Sequence, residues 1–549
     1  MSAGRRPELN DRARGWLRFI WDKATTADDW SSAGEPHPWW DRYSTPPLCS
    51  LARFDLHETG YVLPVMCDIT PAWREVYTRV ADELVGRYTT FWAAIDWLTM
   101  IGHDPAADRY PPEWLAYIPE YLRGRYDAPG WTANGVEPWG LQPDPVGADG
   151  NNFFRGFLNL LLCFHRYVSG DDRWTRPFAV TGYQDRLFEW DHHRLVEFMH
   201  DQWAERPAGV HCENTKIWPF CVSGAGLGLQ LYDALYAKST HHLHDSWVEY
   251  ARRHYMGLDR RGGIEWFAFY YDPIEKAVMR LRDDVSAYAS LCITPYVLPQ
   301  HREFGSLLYE SSLRTLGWDD PRKPLLQLHP DPRFAVIALL MAREMGDHAT
   351  EARFRELAER TFEPRSFGDD GDRFAWWFNL GEEHPRGQLC SLLMLTELGE
   401  PGAWGRVFTQ PNLTKFEQPT VEGVDFPRLG VSEAWNDLEA GALWVTTYAA
   451  TRAARGAAAS WRVTRLPDAG SVSIQCDGSD FPGWRVVEPG TIEIEAPIGD
   501  HRFRIVTGEH GAPRAAGAQR GSLVLPQGAA VNGSKTGYVP SAPGGGCCG

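Results

Sequence analysis

The residues best suited to chemistry lie in one short string, His211-Cys212-Glu213-Asn214-Thr215-Lys216-Ile217-Trp218-Pro219-Phe220-Cys221. Two thiols and a carboxylate within ten positions can give and take protons. A thiol has a reference pKa near 8.5 and a carboxyl near 4.3, so an enclosed site can tune one as donor and the other as acceptor. The string runs into a stretch of small and apolar residues, Val222-Ser223-Gly224-Ala225-Gly226-Leu227-Gly228, which reads as the first turns of an inner helix. A polar loop at a helix N-terminus meets both the dipole and a low dielectric, and each shifts thiol and carboxyl pKa values. The same string also reads as an ordinary capped loop covering two buried cysteines.

The elements that must hold this loop are mostly helical. Between about residues 70 and 410, apolar stripes at i, i+3, i+4, i+7 alternate with aromatic and Gly/Pro-rich loops. Helices are expected over Pro71–Tyr88, Thr90–Ile101, Gly156–Val168, Leu187–Trp203, Val222–Tyr236, His244–Tyr255, Ser286–Tyr296, Gly305–Leu316, Arg333–Glu344, Ala349–Thr361 and Gly387–Glu397. So many antiparallel helices in one unit point to an (α/α)6 barrel, or toroid, in a mainly α fold. From Leu443 to Val506 the pattern changes to period-two alternation broken by Gly, Pro, Asp and Asn, as expected of a small antiparallel β-domain. The expected organisation is therefore an N-terminal extension at 1–49, a catalytic toroid at 50–410, a β-rich domain at 411–507 and a disordered tail at 508–549. The tail ends in Cys547-Cys548-Gly549 and reads as flexible.

Around the loop, Gly209-Val210-His211-Cys212-Glu213 with a second Cys nine positions after Cys212 resembles the Cys-Glu…Cys loop of the linalool dehydratase/isomerase family. Asn152-Phe153-Phe154-Arg155-Gly156-Phe157-Leu158-Asn159-Leu160 upstream, and Ser286-Ala287-Tyr288, Leu340-Met341-Ala342-Arg343-Glu344-Met345-Gly346-Asp347 and Glu383-His384-Pro385-Arg386-Gly387 downstream, resemble the family in the same order, over roughly residues 50–410. The resemblance implies an acid/base site at Cys212, Glu213 and Cys221. It also implies pocket tyrosines at Tyr77 and Tyr288, and Asp55 and Tyr61 reaching in with Cys67 near them. In the family a neighbouring subunit of a ring-like homo-oligomer supplies that last group. The sequence departs from the family at two pocket positions, where Phe157 replaces a histidine and Phe153 a methionine. With Trp218, these rings would line a more apolar wall suited to an isoprenoid chain and to a carbocation-like state.

The expected activity is that of a cofactor-independent terpenoid lyase, isomerase or cyclase acting by protonation and deprotonation, with no metal. Two other readings are a carbohydrate-active toroid using paired carboxylates, and a non-catalytic binding protein presenting its β-domain. Isoprenoid alcohols against oligosaccharides would separate the first two. The net charge of −17 argues against nucleic acid, and the absence of an apolar run of about 20 residues argues against a membrane span. No signal-like segment opens the chain, so a cytoplasmic location is expected. The ten cysteines show no disulfide or zinc spacing. His241, His242 and His244 read as a solvated helix start, His192-His193 as surface, and Tyr232-Asp233 as packing.

Overall fold

The computed structural model describes residues 6–31, 33–34, 36–41, 52–94, 144–148, 150–182, 185–212, 216–273, 276–323, 325 and 331–507. Glu213, the Cys547/Cys548 tail and most of the expected Thr90–Ile101 helix lie outside them. The described residues hold fifteen α-helices and five small sheets. No described helix is long and apolar enough to cross a membrane.

The helices at the centre are Ala52–Thr59, Glu75–Tyr88, Asn152–Ser169, Pro219–Tyr236 and Thr294–Gln300. Pro219 opens its helix at the first position, where its missing N–H costs nothing and its fixed φ suits the turn. That helix lies against Asn152–Ser169 along small residues. A Cβ on Gly156 would sit 2.9 Å from the Ala225 Cβ, and one on Gly224 would sit within 2.3 Å of the Phe157 ring. The glycines thus allow an approach that larger side chains would prevent.

Helix Asp11–Thr25 belongs to this core. Asn10 caps it by accepting from the Ala13 N–H at 2.8 Å, and Ala13, Trp16, Leu17, Ile20 and Ala24 are fully buried along one stripe. Two expected helices are divided. Leu187–Trp190 is a strand paired with Phe178–Thr181, and the helix begins at His192 because Asp191 caps it from the Arg194 N–H. Ser286–Tyr296 becomes Asp283–Cys292 and Thr294–Gln300, since Pro295 has no N–H to continue the first helix.

Near the C-terminus, Ser479–Asp480, Ser473–Cys476, His501–Val506, Ala442–Ala449 and Leu429–Asp437 form a five-stranded antiparallel sheet in that order. Trp484–Glu488, Thr491–Pro497, Ala458–Thr464 and Thr420–Glu422 form a four-stranded one. Trp461 meets Phe503 edge-on at 5.4 Å between the two. The sheets are bonded to the helical body. The Val421 N–H donates to Ala72 O at 2.7 Å, the Ala72 N–H donates to Ala434 O at 3.1 Å, and the buried Glu75 carboxylate accepts from the Gly423 and Val424 N–H groups, both at 2.8 Å.

Candidate active site

Cys212 is fully buried, and its loop is tied down on three sides. The Cys212 N–H donates to Lys216 O at 2.6 Å, and Ile217 exchanges two backbone hydrogen bonds with Tyr271 of strand Ile264–Asp272. Lys216 pairs with Asp272 at 2.6 Å, and the Asn152 N–H donates to His211 O at 3.1 Å. The first turn of helix Asn152–Ser169 then aims the Phe153 N–H at Cys212 Sγ, 3.2 Å away. Cys221, in the first turn of the following helix, hydrogen-bonds to the same sulfur.

The environment separates the two thiols. Burial alone would push Cys212 up, but the Cys221 hydrogen bond, the Arg53 guanidinium, the Phe153 N–H and Arg155 together bring it below the ordinary thiol value. Burial pushes Cys221 well up, and the sulfur it bonds to holds it there. The pair's proton is therefore held more tightly by Cys221 than by Cys212.

An aromatic wall adjoins the pair. Phe153 lies 4.5 Å from Phe157 and 4.6 Å from Phe54, ring to ring, and Phe220 closes on Phe157 at 5.9 Å and on Tyr296 at 5.2 Å. The buried Arg53 guanidinium sits 4.0 Å over the Phe153 ring. Phe157 does take the place of an imidazole in sequence, but its position is not without one. His57, from helix Ala52–Thr59, stacks on Phe157 at 4.0 Å with the ring planes 16° apart. The wall is therefore aromatic with one imidazole set into it.

His57 is fully buried. Burial, with Arg333 and Arg53 nearby, pushes its pKa well down, so the ring is neutral. Its Nδ1 lies 2.7 Å from the Tyr61 hydroxyl, and Tyr61 donates to the Tyr296 hydroxyl at 3.1 Å. With the Tyr61 proton so used, Nδ1–H donates to Tyr61 and Nε2 keeps its lone pair. Nε2 has no hydrogen-bond partner among the described residues.

The other expected site residues divide into two groups. Tyr61, Phe153 and Phe157 join the wall. Trp218 stands outside it, its Nε1–H donating to Cys212 O at 3.0 Å and its ring set against Phe269 and Tyr270. Phe220, two positions on, takes the place expected for it. Asp55 is paired with Lys23 at 2.6 Å, where both side chains are fully buried. Tyr77 hydrogen-bonds to Thr70 at 2.6 Å and packs on Trp73. Cys67 lies by Lys415, and Tyr288 packs on Phe334 at 4.4 Å. None of the recorded contacts of these four reaches the cysteine pair. Tyr61, the residue assigned to a neighbouring subunit, reaches the wall here from the same chain, and Asp55 is buried in that chain too.

His57, Phe54, Arg53, Phe220 and Tyr296 were not among the expected site residues. The i, i+1, i+4 and i+8 spacing of Arg53, Phe54, His57 and Tyr61 was the available signal. His192 is also no surface residue, being buried with Nε2 2.9 Å from Asn159 Oδ1.

Residues 131–375 match the model of the linalool dehydratase/isomerase family. The matched segment carries Cys212, Cys221, Phe153, Phe157, Phe220 and Tyr296. It leaves out Arg53, Phe54, His57 and Tyr61, so the linalool dehydratase/isomerase likeness covers the thiol pair and one side of the wall and stops short of the helix that brings the imidazole. Among solved structures, the chain is similar to a GH127 β-L-arabinofuranosidase from Geobacillus stearothermophilus T6, with 9% identity, 91% of this chain and 80% of that chain covered, and a TM-score of 0.23. It is also similar to a second GH127 β-arabinofuranosidase, with 10% identity, 83% and 74% coverage and a TM-score of 0.17.

Proposed function

We propose that the chain is a lyase or isomerase of linalool dehydratase/isomerase type, acting without a cofactor on an isoprenoid alcohol or alkene held against the aromatic wall. The observation that carries this reading is the buried Cys212–Cys221 pair, whose members are shifted in opposite directions beside that wall. In the dehydration direction, Cys221 gives its proton to the substrate hydroxyl oxygen, the C–O bond breaks and water leaves. The neighbouring carbon then gives a proton to Cys212, forming the double bond. The net change moves one proton from Cys221 to Cys212, and the hydrogen bond between them is the path by which it returns.

Glu213, next in the chain, is the group proposed to assist that return. His57 Nε2 accepts a hydrogen bond from the substrate hydroxyl and fixes its position. The ring faces stabilise positive charge on carbon, at about 0.5–2 kcal/mol per ring contact, and burial keeps out water that would trap it. The helices are proposed to close as an (α/α)6 toroid around this site, and the two C-terminal sheets to form a separate β-rich domain at 411–507. Tyr77 and Tyr288 enter this proposal only as supports, since their partners lie elsewhere.

A Glu213→Gln variant retaining full turnover on geraniol- or farnesol-like alcohols would remove Glu213 from the scheme. Loss of turnover in Cys212→Ser and Cys221→Ser alike is the expected companion result. A carbohydrate reading requires paired carboxylates. Among the described residues, the two acids of the helix that carries His57, Asp55 and Glu58, are paired with Lys23 and Arg333.

A further inference from the structure

Away from the thiols, a second cluster of side chains is placed for a different purpose. His241 caps helix His242–His254 and His244 lies in its first turn, so the i, i+3 spacing sets both on one face. His301 comes from another part of the chain, the junction between helices Thr294–Gln300 and Arg302–Leu316. One ring nitrogen from each of the three lies within 4.8 Å of the others. The rings lie 5.0 to 5.6 Å apart with planes 22° to 31° from parallel.

We propose that His241, His244 and His301 bind one divalent transition-metal cation of the zinc class. His244 Nδ1 and His301 Nε2 face each other at 3.0 Å. Two nitrogens that close need either a proton or a cation between them. Zinc–imidazole bonds of about 2.0–2.1 Å in a tetrahedron put ligand nitrogens roughly 3.3 Å apart, so the pair needs to open by only a few tenths of an ångström. His241 supplies the third donor. Its Nε2 lies 2.9 Å from Gln300 Oε1, and with Nε2–H donated there its Nδ1 keeps a lone pair. A carbonyl oxygen behind a histidine is the usual partner that orients a metal-binding ring. The Asp245 carboxylate, 3.4 Å from His301 Nε2, sets a negative charge beside the group.

The surroundings keep a space for the His244 ring. A Cβ on Gly226 would lie 2.2 Å from His244 Cδ2, so the inner helix carries glycine where the imidazole enters. Gln300 also donates to Ser223 O at 2.9 Å. A cation here would fasten the start of helix His242–His254 to the junction at His301. A second group, Cys476, Asp477 and His501, is also close together, but its Asp477 already accepts from the Arg502 N–H and lies beside His501 on an open edge.

The test uses the full chain stripped with EDTA and titrated with Co2+, read by the visible d–d bands of tetrahedral cobalt, then with Zn2+ in competition. One equivalent with those bands, displaced by Zn2+ and accompanied by a rise of several degrees in Tm, is expected. His241→Asn/His301→Gln should lose that equivalent, and His301→Cys should keep it with an added sulfur-to-cobalt charge-transfer band. Binding of equal stoichiometry in the wild type and the double variant would overturn the proposal. Absence of tetrahedral bands and of any Tm shift in the wild type would do the same, whether or not the variants fold.

Discussion

At the scale of single residues, the account rests on charge placed on sulfur. Cys212 is drawn down by the Cys221 hydrogen bond and by Arg53 against the opposing effect of burial. Activity that needs the Cys212 thiolate is present above its pKa and is lost as pH falls through it. The acid limb of kcat/KM should therefore lie below the ordinary thiol range, near 8.5, and Arg53→Met should move that limb to higher pH. A limb unmoved by that substitution would separate Arg53 from the pair. His57→Phe keeps the stack on Phe157 and removes Nε2. It should raise KM for an alcohol substrate roughly tenfold, since a hydrogen bond of about 1–1.5 kcal/mol is lost, while binding of the corresponding hydrocarbon stays unchanged. Cys212 and Cys221 were singled out by the resemblance of their string to a Cys-Glu…Cys loop, and the structure brings their two sulfurs together, while Glu213 lies outside the described residues. His57 was not legible in the sequence, because helix Ala52–Thr59 is buried on all sides and its mixed Arg-Phe-Asp-Leu-His-Glu run shows no single apolar face.

At the scale of elements, the site depends on how closely two helices approach. Gly224 leaves room for the Phe157 ring and Gly156 for Ala225. Gly224→Ala should cost about 1–3 kcal/mol through overpacking and should lower kcat further than Gly156→Ala does, because only the first displaces a ring of the wall. Equal kinetic losses would mean the wall is not tuned by that contact. Helices such as Val222–Tyr236 and Arg333–Glu344 were read within a few residues, Leu187–Trp203 and Ser286–Tyr296 were not, and the strands Thr491–Pro497 and His501–Val506 were read within two residues. The Asp11–Thr25 helix was legible in its Ala13, Trp16, Leu17, Ile20 and Ala24 stripe but was assigned to an extension. Strand Ile264–Asp272 was not legible as one, since its Trp-Phe-Ala-Phe-Tyr-Tyr run alternates no polar face.

At the scale of the whole molecule, buried charges join distant segments. Lys23 and Asp55 meet with both side chains fully buried, linking the N-terminal helix to the helix that carries His57. Asp55→Asn should cost about 3–5 kcal/mol by leaving Lys23 without a counter-charge. It should reduce Tm and soluble yield while leaving the pH profile of the residual activity in place. A normal Tm with abolished turnover would instead return Asp55 to the catalytic group. Glu75 joins the helices to the sheets, and burial raises its carboxyl to about 7. The folded chain then holds a proton that the unfolded chain releases near 4.3, so stability falls as pH rises between those values. Glu75→Gln should flatten that slope in denaturant titrations from pH 4 to 8.

The central claim is that the Cys212–Cys221 pair performs proton chemistry on an isoprenoid alcohol. The most direct measurement incubates the purified chain with geraniol or farnesol in 2H2O and follows products by mass spectrometry. The account predicts a dehydrated product with no deuterium at carbon after a single forward turnover, since the donated proton leaves with the water, formed by the wild type and lost at least a thousandfold in Cys212→Ser. Turnover that persists in Cys212→Ser and Cys221→Ser, deuterium at carbon in the first-turnover product, or hydrolysis of an oligosaccharide with no change in either alcohol, would contradict it.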